Sequence, residues 1–184
     1  MSAVTGPFSL ERVVNAVEKV RVRLLKAAAA LRAAKIPYAV AGGNAVALWV
    51  SRVDEAAVRN TQDVDMLLRR SDFAAAKSAL ESAGFVYRHV GGIDAFLDGP
   101  AAKARDAVRI VFDGLGVDDS EDAVLFRVAS LDHLARLELN NFRDESRTHL
   151  RDLIEVGLIG ADWIGRLPPA LGERLRQLLD TPEG

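Results

Sequence analysis

Two carboxylates stand one residue apart in Asp63-Val64-Asp65, and the run continues as Met66-Leu67-Leu68. On an extended strand such residues share a face, with Cβ atoms roughly 6–7 Å apart from the rise per residue. Like charges that close raise each other's pKa unless a cation lies between them. A hard, oxygen-seeking ion such as Mg²⁺ fills that role, held by one or two carboxylates together with substrate phosphates. The plainer alternative is an edge strand carrying two solvated acids. The apolar residues around the pair favour a central strand instead. A second feature is Gly42-Gly43, set between Pro37-Tyr38-Ala39-Val40-Ala41 and Asn44-Ala45-Val46-Ala47-Leu48-Trp49-Val50. A glycine turn that opens a helix lets backbone N–H groups approach a phosphate at the positive helix end. It also serves as a simple strand-to-helix turn. The pair is neither a Walker loop, since no Lys-Ser/Thr follows, nor a dinucleotide G-x-G-x-x-G.

Composition narrows the remaining chemistry. There is no Cys, which excludes disulfides, thiol nucleophiles and cysteine-built zinc sites. The three His (His89, His133, His149) are far apart and lack metal-ligand spacing. Lys plus Arg is 24 against 26 acids, a formal charge of −2, which argues against a surface that coats nucleic acid or anionic membrane as a whole. The N-terminus has no apolar h-region, and no apolar run approaches the ~18 residues of a membrane span. The expectation is a cytoplasmic protein with no membrane partner. With 184 residues, 49% apolar and 27% charged, the chain suits one globular core, with room for a small helical annex.

The elements that must position these residues are legible from periodicity. Apolar residues from Leu10 to Leu31 recur at three- and four-residue steps, a helix that starts near Ser9 and must end before Pro37. Residues 1–35 hold seven Lys/Arg and two acids, which reads as a solvated basic face or, less simply, a docking surface for a polyanion. The buried strand, glycine turn and helix follow. Ser51 to Thr61 reads as loop, and Asp63–Leu68 as a strand. Ser71-Asp72 caps a helix ending near Gly84. Three strands are then expected at Phe85–Tyr87, Ile93–Leu97 and Ala107–Phe112, followed by an acidic loop from Gly114 to Asp122. A last short strand at Phe126–Val128 precedes helices at Leu131–Leu139, Arg143–Val156 and Pro168–Leu179, with a turn at Trp163. The fold class is therefore α/β (α+β): a mixed sheet flanked by helices. The divisions are an N-terminal helix (1–35), a core (36–128) and a C-terminal helical tail (129–184).

Ala41-Gly42-Gly43-Asn44 followed by Arg59-Asn60-Thr61-Gln62-Asp63-Val64-Asp65-Met66 resembles the signature of the nucleotidyltransferase superfamily with the DNA polymerase β-like fold. The Arg-x-Thr-x-Asp-h-Asp form looks most like the minimal nucleotidyltransferases of abortive-infection toxin type. So do the helices carrying Leu131-Asp132-His133-Leu134 and His149-Leu150-Arg151-Asp152-Leu153. The resemblance covers about residues 36–158. It implies that Asp63 and Asp65 bind Mg²⁺ (or Mn²⁺), and that Gly42, Gly43 and Asn44 hold the β- and γ-phosphates of an NTP. Arg59 and Thr61 would orient phosphate. The implied reaction moves an NMP to an acceptor hydroxyl (a tRNA end, a protein or a small molecule) and releases pyrophosphate. The rival is a catalytically degenerate nucleotide-binding or toxin–antitoxin-type protein of the same fold, with an antitoxin partner or a homodimer.

Three departures from that pattern stand out. Nineteen residues separate Gly43 from Asp63, a longer loop than in compact members. The family's third carboxylate belongs on a later strand, where alternation puts Arg109, Val111 and Asp113 on one face. Asp113 is the candidate, with Asp94 and Asp98 behind it, although Arg109 stands nearer mid-strand. Toxin-type members often carry a phosphate-facing Lys on the first helix after the core, where this chain has Glu138. Arg143, Arg147 and Arg151 form an i, i+4, i+8 stripe able to clamp a triphosphate or to lie solvated beside Asp144 and Glu155. Trp49, Trp163 and His149 read as packing residues.

Overall fold

A computed structural model of the chain describes residues 10–103, 106–114, 117–118 and 126–181. Helix α1 is Leu10–Ala33; its expected start at Ser9 lies outside the described residues, as do Asp119, Glu121 and Asp122 of the acidic loop. Strand β1 (Ala39–Ala41) runs directly into α2 (Gly42–Ser51). Then come β2 (Val64–Leu68) and α3 (Phe73–Ser82). Strands β3 (Val86–Val90), β4 (Ile93–Leu97), β5 (Ala107–Phe112), β6 (Val117–Asp118) and β7 (Val128–Ala129) follow. The chain closes with α4 (Leu131–Asn141), α5 (Asp144–Glu155) and α6 (Pro169–Asp180).

The strands form one mixed seven-stranded sheet in the order β3-β4-β5-β2-β1-β7-β6. β2 runs parallel to β5 and β1 parallel to β7, and the other pairings are antiparallel. Side-chain alternation sorts the sheet into two apolar layers. Val40, Val64, Met66, Leu68, Phe96 and Val108 pack with α1 and α3, whereas Ala39, Ala41, Leu67 and Val128 pack with α2, α4, α5 and α6. Every position of β2 is buried, as its apolar run predicts for a central strand. The mixed α/β class, the N-terminal helix and the helical tail all follow the expectation. Among the described residues no helix is long and apolar enough to cross a membrane.

Local details differ from the sequence reading. Asp72 makes no capping bond, because a 3₁₀ turn over Arg70–Asp72 leads the chain into α3 and leaves Asp72 itself helical. The stretch from Ser51 to Thr61 holds a 3₁₀ turn, Glu55–Ala57, started by Asp54 accepting the Ala56 N–H at 2.9 Å. Strand β6 arises where loop is expected. Trp49 donates to the Ala129 carbonyl at 3.0 Å and Trp163 is buried in the core, so both tryptophans pack as expected.

The helical tail is held rigidly across the sheet. Leu134, Leu139, Leu150, Leu153 and Leu175 are fully buried, and truncating any such leucine to alanine costs about 2–5 kcal/mol. Phe142 ends α4 in the left-handed conformation (φ 50°), and Arg174 donates to the freed carbonyls of Leu139 and Asn140 at 2.7 and 2.8 Å. That turn aims α5 back over the N-terminus of α2.

Candidate functional site

The α2 N-terminus is pressed against the acidic strand. Gly42 has φ +58°, and a Cβ there would stand 2.3 Å from Asp65 Oδ2. Only glycine meets both demands, since it tolerates positive φ and has nothing to clash. A Cβ on Gly43 would lie 2.9 Å from Thr61 and 3.2 Å from His149 Nε2. Asn44 donates its side-chain amide to the Asp63 carbonyl at 2.6 Å, and Thr61 Oγ1 accepts the Asp63 N–H at 3.3 Å. Asn44 and Thr61 thus fix the approach to the carboxylate pair, and the helix presents its unpaired N–H groups beside it.

Asp63 and Asp65 share a face, and Arg109 lies against both. In the parallel β2–β5 register Asp65 is directly opposite Arg109. The guanidinium donates to the two oxygens of Asp65 at 2.7 and 3.0 Å, a bidentate fork, and reaches Asp63 Oδ2 at 3.2 Å. Glu145, from α5, approaches the same Arg109 nitrogen at 3.8 Å. Burial pushes the Asp65 carboxyl above its ordinary value, against the pull of Arg109. Burial also works against the Arg109 charge, but the hydrogen bond to Asp65 and the charges of Asp65, Asp63 and Glu145 outweigh it and hold the guanidinium protonated.

Helix α5 forms the opposite wall. His149 Nδ1 lies 3.0 Å from Glu138 Oε1, a pairing that joins α5 to α4 with both side chains largely buried. Asp152, buried, pairs with Arg59 at 2.7 Å, and burial raises its carboxyl although Arg59 opposes the rise. Two adjoining recesses result. One of about 260 Å³ lies between Gly43, Thr61 and Asp63 on one side and Thr148, His149 and Asp152 on the other. A second of about 380 Å³ is lined by Gly42, Asp65, Arg109, Glu138 and Arg143. Glu145 and His149 border both, and volumes of this order suit a small-ligand cleft of roughly 300–1,000 Å³.

The expected third carboxylate does not join this cluster. Asp113 follows β5, four residues and roughly 13 Å along the strand from Arg109 by the rise per residue, and faces His133 Nε2 at 3.6 Å. Asp94 pairs with Ile110 rather than with Arg109 in the β4–β5 register, so it faces the opposite side of the sheet. There it accepts from the Tyr87 hydroxyl at 2.6 Å and lies 2.7 Å from His89 Nδ1. Burial would raise this carboxyl, but Tyr87 and His89 hold it below the ordinary range. Asp98 is paired with Lys26 at 2.6 Å. The arginine stripe also divides. Arg143 borders the second recess, Arg147 turns to the Phe142 carbonyl at 3.4 Å, and Arg151 reaches the Thr181 carbonyl at 3.5 Å. The stripe breaks because α5 begins only at Asp144, which leaves Arg143 as an extended N-cap residue outside the helix, while Arg147 stacks on the Phe142 ring and lies 3.8 Å from Asp144.

Glu145 is the site residue that the sequence reading passed over; Glu138 was noted only as standing where a Lys is expected, and His149 was read as packing. A signal existed: Glu145, Thr148, His149 and Asp152 form an i, i+3, i+4, i+7 polar stripe on a helix whose other face holds Leu150 and Leu153.

The Arg109 guanidinium is a stand-in cation against both carboxylates, so the geometry accepts positive charge between Asp63 and Asp65. A divalent ion would compete for the same oxygens and would need phosphate or water to complete its shell. No group of three or more metal-ligating acids or histidines occurs among the described residues.

No protein-family profile and no curated protein matches the chain. Solved structures do match over nearly its whole length. An antigenic nucleotidyltransferase-like protein from Paracoccidioides brasiliensis shares 16% identity at a TM-score of 0.57, covering 89% of this chain and 88% of that one. The antibiotic-resistance factor ANT(2'')-Ia matches in solution with 11% identity, TM-score 0.52 and coverage of 93% and 91%. Its crystal structure with adenylyl-2''-tobramycin gives 11%, 0.53 and coverage of 91% and 99%. The chain has the nucleotidyltransferase fold.

Proposed function

We propose that this chain binds a nucleoside triphosphate and transfers its NMP to an acceptor hydroxyl, releasing pyrophosphate. The observation that carries this reading is the Asp63–Asp65 pair pressed against the glycine-opened N-terminus of α2. Backbone N–H groups at Gly42 and Gly43 are suited to the β- and γ-phosphates. Asp63 and Asp65 are the residues to hold Mg²⁺ or Mn²⁺, which when bound would neutralise charge on the reacting phosphate. Asn44 and Thr61 keep the Asp63 backbone in place. Arg109, once released from the carboxylates, lies where it can meet phosphate oxygens, as Arg143 does from the rim. Arg59 stays anchored on Asp152 at the far end of the smaller recess. In the transfer, the acceptor oxygen bonds to the α-phosphorus, the bond from that phosphorus to the bridging oxygen breaks, and the hydroxyl proton leaves to solvent or a base.

One of the similar structures holds adenylyl-2''-tobramycin, so a small hydroxylated molecule stands with tRNA and protein hydroxyls among the acceptor classes to be tried. A second reading, nucleotide binding without transfer by an interaction protein of toxin–antitoxin type, rests on a specific observation. Arg109 stands opposite Asp65, where the family's third carboxylate belongs. Incubating the purified protein with each α-³²P NTP, Mg²⁺ and separate pools of tRNA, cell protein and small hydroxyl compounds distinguishes the two. Label moving into one pool, and lost in Asp63→Asn, supports transfer. Nucleotide binding with no labelled pool supports the second reading.

A further inference from the structure

The wall facing Gly43 contains a buried acid–imidazole pair with no assigned role. Glu138 is 5% exposed, and the His149 side chain is 12% exposed. Glu138 engages Nδ1 at 3.0 Å, so Nε2 is left as the working nitrogen. That atom carries no hydrogen bond among the described residues and lies 3.2 Å from where a Gly43 Cβ would stand. It therefore sits over the N-terminus of α2, at the border of the two recesses. A histidine placed only for packing would not need a carboxylate behind it and an unengaged nitrogen at the mouth of the cleft.

Charge bookkeeping gives the pair a purpose. The walls of the cleft carry Asp63, Asp65, Glu138, Glu145 and Asp152. Of the cations, Arg109 is paired with Asp65 and Asp63 and Arg59 with Asp152, while Arg143 and Arg70, the latter stacked on the Phe112 ring, border only the second recess. Even with Mg²⁺ on Asp63 and Asp65 and with Arg109 and Arg143 beside the second recess, a polyphosphate reaching over Gly43 would meet uncompensated acids in the smaller recess unless a further cation faced it there. We propose that His149, oriented by Glu138, is that cation, its Nε2–H donating to a terminal phosphate oxygen of a nucleoside triphosphate bound over the α2 N-terminus. The proposal rests on the nucleotide-binding part of the function given above. Glu138 thereby acquires a reason to stand where the family pattern places a lysine: the positive charge is supplied from the next helix, and Glu138 holds it. Burial disfavours the imidazolium, but Glu138, Glu145 and Asp65 outweigh burial and raise the His149 pKa.

Calorimetric titration of ATP and AMP with Mg²⁺ into wild type, His149→Ala, His149→Gln and Glu138→Gln tests this. Loss of a charge-assisted hydrogen bond should weaken ATP binding about tenfold in His149→Ala while AMP changes less than about twofold. Glu138→Gln should shift the ATP-to-AMP ratio in the same direction by less. An unchanged ratio in the folded His149→Gln variant overturns the proposal. Should the variants unfold, the wild-type imidazole settles it by ¹⁵N NMR: the His149 Nε2 resonance must move on saturation with ATP and not with AMP. Wild type that binds neither nucleotide refutes the nucleotide reading itself, a distinct outcome.

Discussion

The two walls of the cleft are built by different kinds of information. The sheet wall, Gly42, Gly43, Asp63 and Asp65, comes from two short segments in which each residue's neighbours dictate its direction. The helical wall, Glu138, Glu145, His149 and Asp152, comes from α4 and α5, and its central pair spans eleven positions across a helix–helix contact. Backbone geometry makes the first wall rigid, through a positive-φ glycine packed on a carboxylate. Side-chain pairing makes the second, through ion pairs that titrate. The sheet wall should therefore fail by steric change and the helical wall by change of pH.

Gly42→Val would break the sheet wall most severely. A side chain at φ +58° with its Cβ inside Asp65 is expected to cost about 3 kcal/mol or more, by positive-φ strain plus overpacking. Urea unfolding reads this directly, and a loss under 1 kcal/mol, within the range of ordinary substitutions, would mean that the turn is not built as described.

Arg109→Ala comes next. It leaves Asp65 buried without its partner, a change worth 3–5 kcal/mol for a fully buried pair. With the Arg109 side chain 32% exposed and solvent screening what remains, about 2 kcal/mol is expected. Mn²⁺ should restore more of the melting temperature of this variant than of wild type, because the ion takes over the charge that the guanidinium supplied. Equal Mn²⁺ shifts in the two proteins would show that the carboxylates do not compete in this way.

These two expectations mark what the sequence carries and what it does not. The Asp-x-Asp spacing put both acids on one face of a central strand, and the glycine pair opened α2 as read. Alternation along β5 also put Arg109 and Asp113 on one face. It could not tell which one lies beside Asp65, because that depends on the β2–β5 register. The His149 environment was invisible for a similar reason. A histidine beside Leu150 reads as packing until α4 brings Glu138 to its ring, and no local pattern specifies that approach.

A smaller effect separates the helical wall by pH. His149 is raised above its ordinary value of 6.5 in the folded state, so its contribution to stability is complete below that value. It is lost as pH rises through the folded pKa. The stability difference between wild type and His149→Gln should therefore shrink as pH is raised from 6 to 8. A difference that grows with pH would mean that the imidazole is neutral in the folded protein. The smallest effect belongs to Asp113→Asn, which lies away from both walls and should change nucleotide affinity by less than about twofold, with stability within about 0.5 kcal/mol.

The most direct measurement of the central claim is Mn²⁺-dependent binding of a non-hydrolysable NTP analogue to wild type and to Asp63→Asn. Asp63 is the better probe because its side chain is 37% exposed, so its loss should leave the fold intact. Wild type should bind the analogue with Mn²⁺ at least tenfold more tightly than without it, and Asp63→Asn should remove that gain, as expected when one of two carboxylate ligands is lost. The same affinity in both proteins, with and without Mn²⁺, would contradict a nucleotide site built on Asp63 and Asp65.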